Sequence, residues 1–360
     1  MNAIKIGRGI LAISFIFSLA AAYQPDGSTW LLPAHSFAQD ASKSRPGNKI
    51  ENSATASERD REGPKGRTEI SVEKDLVSLQ VLVSDTKGNV LTGLRRENFT
   101  IYEDNVKQQI SHFSSVDSDI TVVLLVEYSN NISYFIGQIL DSMSAFIDSL
   151  QKEDWVAVVG YDLHPAILCD FTQDRQKIYS TLNRFRFPNF DESCLSDALI
   201  DTLDRVQEIE GKVAILLIGT GLDIFSKHSY DDALKKCKES NASVYAIGLG
   251  QRYRIMADMK GLLSNIQRVD LEMGDQRLKS FAEYSGGQAF FPYFETELPE
   301  IMGKISKSLR SRYSIAYSPT NTRKDGKFRK VKVNVDADIK DDKGKKIKFK
   351  VVARKGYIPD

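Results

Sequence analysis

Thr121-Val-Val-Leu-Leu-Val-Glu127-Tyr-Ser129-Asn-Asn131 is an unbroken run of β-branched and leucine residues that stops abruptly in small polar ones. A run without polar alternation reads as a strand covered on both faces, inside a mostly parallel sheet. Its polar stop is then the strand's carboxyl end, where open α/β sheets hold ligands. A helical pattern starts almost at once, from Ser133. Ser129, Asn130 and Asn131 also have a plainer reading, since the same residue types are preferred helix N-caps.

Working outward, Ile136, Ile139, Leu140, Met143, Phe146, Ile147 and Leu150 recur at helical spacing and make one apolar face. Trp155–Gly160, Val213–Ile218 and Val244–Leu249 are further buried-strand patterns. Helical patterns run over Asp174–Phe185, Leu195–Val206, Tyr230–Glu239, Gln276–Tyr284 and Leu298–Leu309, and Gln288–Phe291 reads as a last short strand. Strands alternating with helices over 119–310 predict an α/β, Rossmann-like domain: a mostly parallel sheet with helices on both faces.

On the amino side, Val77–Val83, Phe99–Tyr102 and Gln109–Phe113 read as strands. On the carboxyl side, Tyr313–Tyr317, Phe328–Val335 and Ile347–Ala353 do so, with Asp-Gly and Lys-Gly turns between them. Neither flank alone holds a complete core. The expectation is one small β-sheet domain, built from 68–118 and 311–360 and interrupted by the α/β domain. Residues 39–67 are Ser, Asn, Glu, Arg, Gly and Pro with almost no large apolar side chain, the composition of a disordered linker.

Residues 1–38 have the order of a secretory signal peptide: Lys5 and Arg8, then apolar Ile10–Ala22, with small-residue sites at Ala22 and at Ala38. The apolar run is shorter than the roughly 20 residues a spanning helix needs. Export to the periplasm, envelope or medium is expected, with cleavage at either site or retention as an anchor left open. A net charge of +1, from 49 basic and 48 acidic residues, gives no field favouring nucleic acid or anionic lipid. The basic stretch Lys324–Lys350 alternates with Asp and apolar residues, as a solvated strand face does. The three cysteines, Cys169, Cys194 and Cys237, match no zinc spacing and read as buried thiols. No nucleophile elbow, phosphate loop or His-centred triad is present, and Asp162 with His164 reads as a loop after a strand, so no enzyme is expected.

The opening run and its polar end resemble the first strand and metal-ion-dependent adhesion site of von Willebrand factor A (VWA) domains, with Glu127-Tyr128-Ser129-Asn130-Asn131 on an Asp-x-Ser-x-Ser frame. Asp191-Glu-Ser193-Cys-Leu-Ser-Asp197-Ala-Leu is similar to the family's loop-to-helix segment, with Ser193 on a Thr ligand position. Ile215-Leu-Leu-Ile-Gly-Thr220-Gly221-Leu-Asp223 resembles the strand ending in Asp-Gly-x-Asp, with Thr220 on the metal-side Asp. Val244–Gly250 and Tyr284–Phe291 resemble the last strands. Val83–Leu94 before Asn98-Phe99, Tyr317-Ser-Pro-Thr-Asn, Asp325–Arg329 and Ala353–Tyr357 are similar to VWA-related exported proteins common in acidobacteria.

The resemblance implies Mg²⁺ or Mn²⁺ at Glu127, Ser129, Asn131, Ser193 and Thr220, because hard oxygen ligands at about 2.1 Å suit such cations. The match is degenerate. Glu127 adds a methylene and Thr220 removes a carboxylate, so one formal charge stands where the family has two, and affinity should fall by orders of magnitude. Asp191, Glu192 and Asp223 are adjacent acidic residues, and Asp197 reads as compensating a helix dipole. Tyr128, Asn130, Phe187, Pro188, Phe190, Asp191, Glu192 and Asp223 form the expected binding rim. The implied function is adhesion-type binding of a protein or envelope partner; the alternative is an envelope scaffold whose metal site is inert.

Overall fold

The computed structural model describes residues 76–86, 88–115, 119–184, 190–261, 263–339 and 348–359. The signal region and linker expected over residues 1–67 lie outside these. The chain opens with β1 (Val77–Asp85), β2 (Phe99–Glu103), β3 (Val106–Gln108) and β4 (Ile110–Ser114). The apolar run forms β5 (Ile120–Glu127), buried at every position. A 3₁₀ turn over Asn130–Phe135 leads into α1 (Ile136–Asp148), β6 (Trp155–Tyr161) and β7 (Pro165–Thr172). Then come α2 (Arg175–Leu182), α3 (Leu195–Arg205), β8 (Lys212–Gly219), α4 (Tyr230–Glu239) and β9 (Ser243–Gly248). Next are α5 (Gly250–Met259), α6 (Asn265–Ser285), β10 (Ala289–Phe290) and α7 (Leu298–Arg310). Strands β11 (Tyr313–Tyr317), β12 (Arg329–Val335), β13 (Phe349–Val352) and β14 (Gly356–Tyr357) close the chain.

The central sheet has the order β10-β9-β8-β5-β6-β7, parallel except for β7. Successive side chains of a strand face opposite ways. Ile120, Val122, Leu124 and Val126 therefore pack with α1, α2 and α7, while Val123 and Leu125 pack with α3, α4 and α6. Covering on both faces is why β5 shows no alternation. The chain leaves β5 toward β6 on one side and later returns to β8 on the other. The carboxyl ends of β5 and β8 thus flank the topological switch point, where an α/β sheet opens a crevice.

Two four-stranded antiparallel sheets, β13-β1-β11-β4 and β14-β12-β2-β3, draw strands from both sides of the α/β region. Leu79, Val81, Phe99, Ile101, Ile315, Tyr317 and Val331 share their core. Buried arginines tie these sheets to the α/β part. Arg312 donates to the Tyr245 hydroxyl at 2.9 Å and to the Gln80 carbonyl at 3.0 Å. Arg354 donates to the Asn241 side chain at 3.0 Å, the Gly356 carbonyl at 3.0 Å and the Lys238 carbonyl.

Several elements differ from the sequence reading. Asp162 and His164 lie in the loop after β6, and the strand that follows, β7, carried no signal in the sequence: it is a half-exposed edge strand that begins at Pro165, a residue such edges tolerate. Helix α6 is 21 residues long and starts at Asn265 rather than Gln276, and α5 precedes it. Helix α5 and the first half of α6 escape the periodicity test because Ile255, Met259, Ile266, Val269 and Met273 point outward while Arg252 is buried. Helix α2 starts one residue after Asp174, whose carboxylate accepts from the Gln176 and Lys177 N–H groups, and its last residue is Leu182. Strands β3 and β14 are too short to carry a pattern.

Candidate functional site

Glu127, at the end of β5, projects across the switch point toward β8. Its Oε2 accepts the Thr220 backbone N–H at 2.5 Å and the Thr220 hydroxyl at 2.8 Å. The Ser129 hydroxyl donates to Oε1 at 2.5 Å. Burial is the largest influence on this carboxyl and raises its pKa above the usual value, against the lowering effect of those three bonds. Gly219 makes the approach possible: a Cβ there would lie 2.5 Å from the Tyr161 hydroxyl and 2.6 Å from Glu127 Oε2. The Tyr161 hydroxyl is itself buried and makes no hydrogen bond. Its pKa is pushed well above the ordinary phenol value by burial, then by the charges of Glu127, Cys194 and Asp223.

The bonds continue from loop to loop. Ser129 Oγ accepts the Asn131 N–H at 3.3 Å, so Ser129 is the N-cap of the 3₁₀ turn as well as a partner of Glu127. The Asn131 side-chain amide donates to the Asp191 carbonyl at 2.8 Å, and the Asn130 N–H to the Phe190 carbonyl at 2.7 Å. The Ser193 hydroxyl donates to the Leu222 carbonyl at 2.8 Å, and the Leu222 N–H returns to Thr220 Oγ1 at 3.2 Å. Glu127, Ser129, Asn131, Ser193 and Thr220 are thus brought together at one end of the sheet. Glu127, Ser129, Ser193 and Thr220 are 0% exposed and Asn131 8%, so a partner molecule cannot reach them directly.

The rim residues divide. Asn130, Phe190, Asp191 and Glu192 are exposed, and Tyr128 is half-buried. Phe187 and Pro188 lie outside the described residues. Asp223, expected on the rim, instead holds the start of α3: its carboxylate accepts the Ser196 N–H at 3.1 Å, the Ser196 hydroxyl, and the Ser226 hydroxyl at 2.5 Å. Asp197 acts on more than a helix dipole. It accepts the N–H groups of Lys227 and His228 at 3.0 and 2.9 Å and pairs with the His228 ring at 2.7 Å. Burial raises its pKa, but those partners outweigh it and the net shift is downward.

Sequence reasoning missed α5 and the first half of α6, and this helical pair walls one side of the site. Lys260 lies over the Tyr134 ring at 4.2 Å, and Arg252 over Phe135 at 4.2 Å while it pairs with Glu295 at 2.8 Å. Gly274 of α6 packs so closely on Gly221 that a Cβ on Gly221 would lie 2.5 Å from the Gly274 carbonyl oxygen. Asp275, next along α6, has a buried Oδ1 without a hydrogen-bond partner, and burial lifts its carboxyl to about 6.

A hard divalent cation needs oxygen lone pairs and is repelled by donors. Here the donor set is of the opposite kind. Three hydrogen bonds converge on the Glu127 carboxyl and the Tyr161 hydroxyl stands beside it; the hydroxyl protons of Ser129 and Thr220 point at the carboxyl, and that of Ser193 at a carbonyl. The Asp223 carboxylate is occupied elsewhere. These residues do not fit Mg²⁺ or Mn²⁺. Among the described residues no group of three or more His, Cys, Asp or Glu is placed to hold a metal.

No protein-family model and no curated protein matches this sequence. Solved structures give a distant likeness to VWA-domain proteins. The PilB minor pilin from Streptococcus sanguinis is 13% identical, covering 55% of this chain and 63% of that one, with a TM-score of 0.41. The von Willebrand factor type A protein from Catenulispora acidiphila is 13% identical, covering 64% of this chain and 50% of that one, with a TM-score of 0.41. Proximal thread matrix protein 1 from the mussel byssus, with a zinc-occupied MIDAS motif, is 13% identical, covering 57% and 49%, with a TM-score of 0.40. This chain therefore spans less than two thirds of each, and the likeness is one of fold.

Proposed function

We propose that this chain is an exported, non-enzymatic binding module of the VWA-related type found in acidobacteria, with a degenerate adhesion site, and that it engages a protein or envelope partner through the carboxyl-end face of its central sheet. One observation carries the reading: the large apolar side chains left in solvent concentrate on that face. Tyr134 follows β5, Phe225 follows β8, Met259 and Ile266 follow β9, and Tyr293 and Phe294 follow β10; all are at least half exposed. Met259 is 85% exposed and Ile266 75%. Large apolar side chains left exposed on one face are a feature of interaction surfaces, and aromatic residues are enriched among binding anchors. The amino ends of the same strands differ: there Lys212, Arg310 and Asp154 are engaged in internal polar contacts.

The face is read as a docking platform, with the cluster around Glu127 holding its loops in place beneath the contact surface. Among the described residues no helix is long and apolar enough to cross a membrane. The test is capture of envelope components by full-length protein. The Phe225→Ser, Met259→Ser, Phe294→Ser triple variant should lose at least about tenfold in binding, as removal of anchor residues does, with an unchanged melting temperature. Val106→Ser and Phe328→Ser, on the small sheets, should bind normally. The reverse pattern would favour a scaffold that makes its contacts through those sheets.

A further inference from the structure

We infer that the three connections at the switch point are held by a closed ring of the protein's own hydrogen bonds, which makes the organisation of this face independent of divalent cations. The ring runs from Glu127 to Ser129, through Asn131 to the Asp191 carbonyl, along the chain to Ser193, across to Leu222, back to Thr220 and again to Glu127. It joins the connections after β5, before α3 and after β8. Each of the Ser129 and Thr220 hydroxyls uses its proton on Glu127 and a lone pair on a backbone N–H, of Asn131 and Leu222 respectively. A cation entering this cluster would have to break the ring at several points and displace a carboxyl that already accepts three donors.

The length of Glu127 is what closes the ring. Its carboxylate reaches the Thr220 N–H on the neighbouring strand's exit, and Gly219 leaves the room for it. A glutamate that spans the switch point does by covalent reach what a bridging ion does by coordination. The inference concerns internal order alone, so it stands or falls separately from the docking reading.

Thermal unfolding of the full chain in Mg²⁺, in Mn²⁺ and in EDTA tests it, together with calorimetric titration of MnCl₂ into the wild-type protein. The three melting temperatures should agree within about 1 °C and the titration should give no saturable heat, whereas a site filled at about 100 times its Kd would raise melting by several degrees. Ser129→Ala and Ser193→Ala should each lower the melting temperature equally in all three buffers. Their double variant should lose less than the two separate losses together, since either break opens the same ring. A Mn²⁺-dependent rise in wild-type melting that Ser129→Ala abolishes would overturn the inference, as would full additivity of the two substitutions. Normal capture by the Phe225, Met259 and Phe294 triple variant would remove the docking reading and leave the ring.

Discussion

Replacing Glu127 separates the shape of its carboxyl from its charge. In Glu127→Ala the Thr220 N–H stays buried without an acceptor, and a void opens against Gly219 and Tyr161. An unpaired buried donor costs about 1–3 kcal/mol and the void adds a further term, for a total loss of about 2–4 kcal/mol. Glu127→Gln keeps the shape: its amide oxygen accepts from Thr220 and its amide nitrogen donates to Ser129 Oγ, so the loss should be under about 1 kcal/mol. The two variants should also differ from wild type in pH dependence. Burial raises the folded-state pKa of Glu127 above the ordinary 4.5. Between the unfolded and folded pKa values the folded protein therefore binds the extra proton, and wild-type stability declines as pH rises above 4.5, by up to about 1.4 kcal/mol per pH unit for one proton. The contribution is fully present below the unfolded pKa and is lost as pH passes the folded one. Glu127→Gln has no such slope, so its deficit should shrink or reverse toward neutral pH. Urea unfolding followed by tryptophan fluorescence at stepped pH reads both effects. Parallel wild-type and Glu127→Gln curves would refute the reasoning, as would a Gln variant as unstable as the Ala variant.

Three other outcomes follow from the same contacts. Gly219→Ala puts a methyl within 2.6 Å of both the Tyr161 hydroxyl and Glu127 Oε2; it should cost about 1–3 kcal/mol in denaturant unfolding, and the cost should shrink in the Tyr161→Phe background. Asp275 has a pKa raised to about 6 by burial, so its contribution to stability is lost as pH climbs from 3.8 through about 6. Asp275→Asn should accordingly melt higher than wild type above that range and no higher below it, as calorimetry at two pH values would report. Arg354→Met keeps the apolar stem but leaves the Lys238 and Gly356 carbonyls without their donor. Loss of about 2–4 kcal/mol is expected, with faster hydrogen exchange at β13 and β14 than in the central sheet.

The sequence by itself determined the central architecture. Strands β5, β6, β8 and β9 are covered on both faces, so each had to be written as continuous apolar residues, and that pattern is unambiguous without coordinates. It also located the switch point, because Glu127–Asn131 and Thr220 end two of those strands in polar residues. Tertiary structure alone decided the rest. Strand β7 lies at an edge with one face half open, and α5 with the first half of α6 turns apolar residues to solvent around a buried Arg252, so neither shows a readable period. Nor does residue type say which way a hydroxyl proton points. Ser, Thr, Asn and Glu in this order are equally consistent with oxygen ligands around an ion and with a closed hydrogen-bonded ring. The crossing of Glu127 to the Thr220 N–H, permitted by the bare Cα of Gly219, separates the two, and it exists only once β5 and β8 lie side by side.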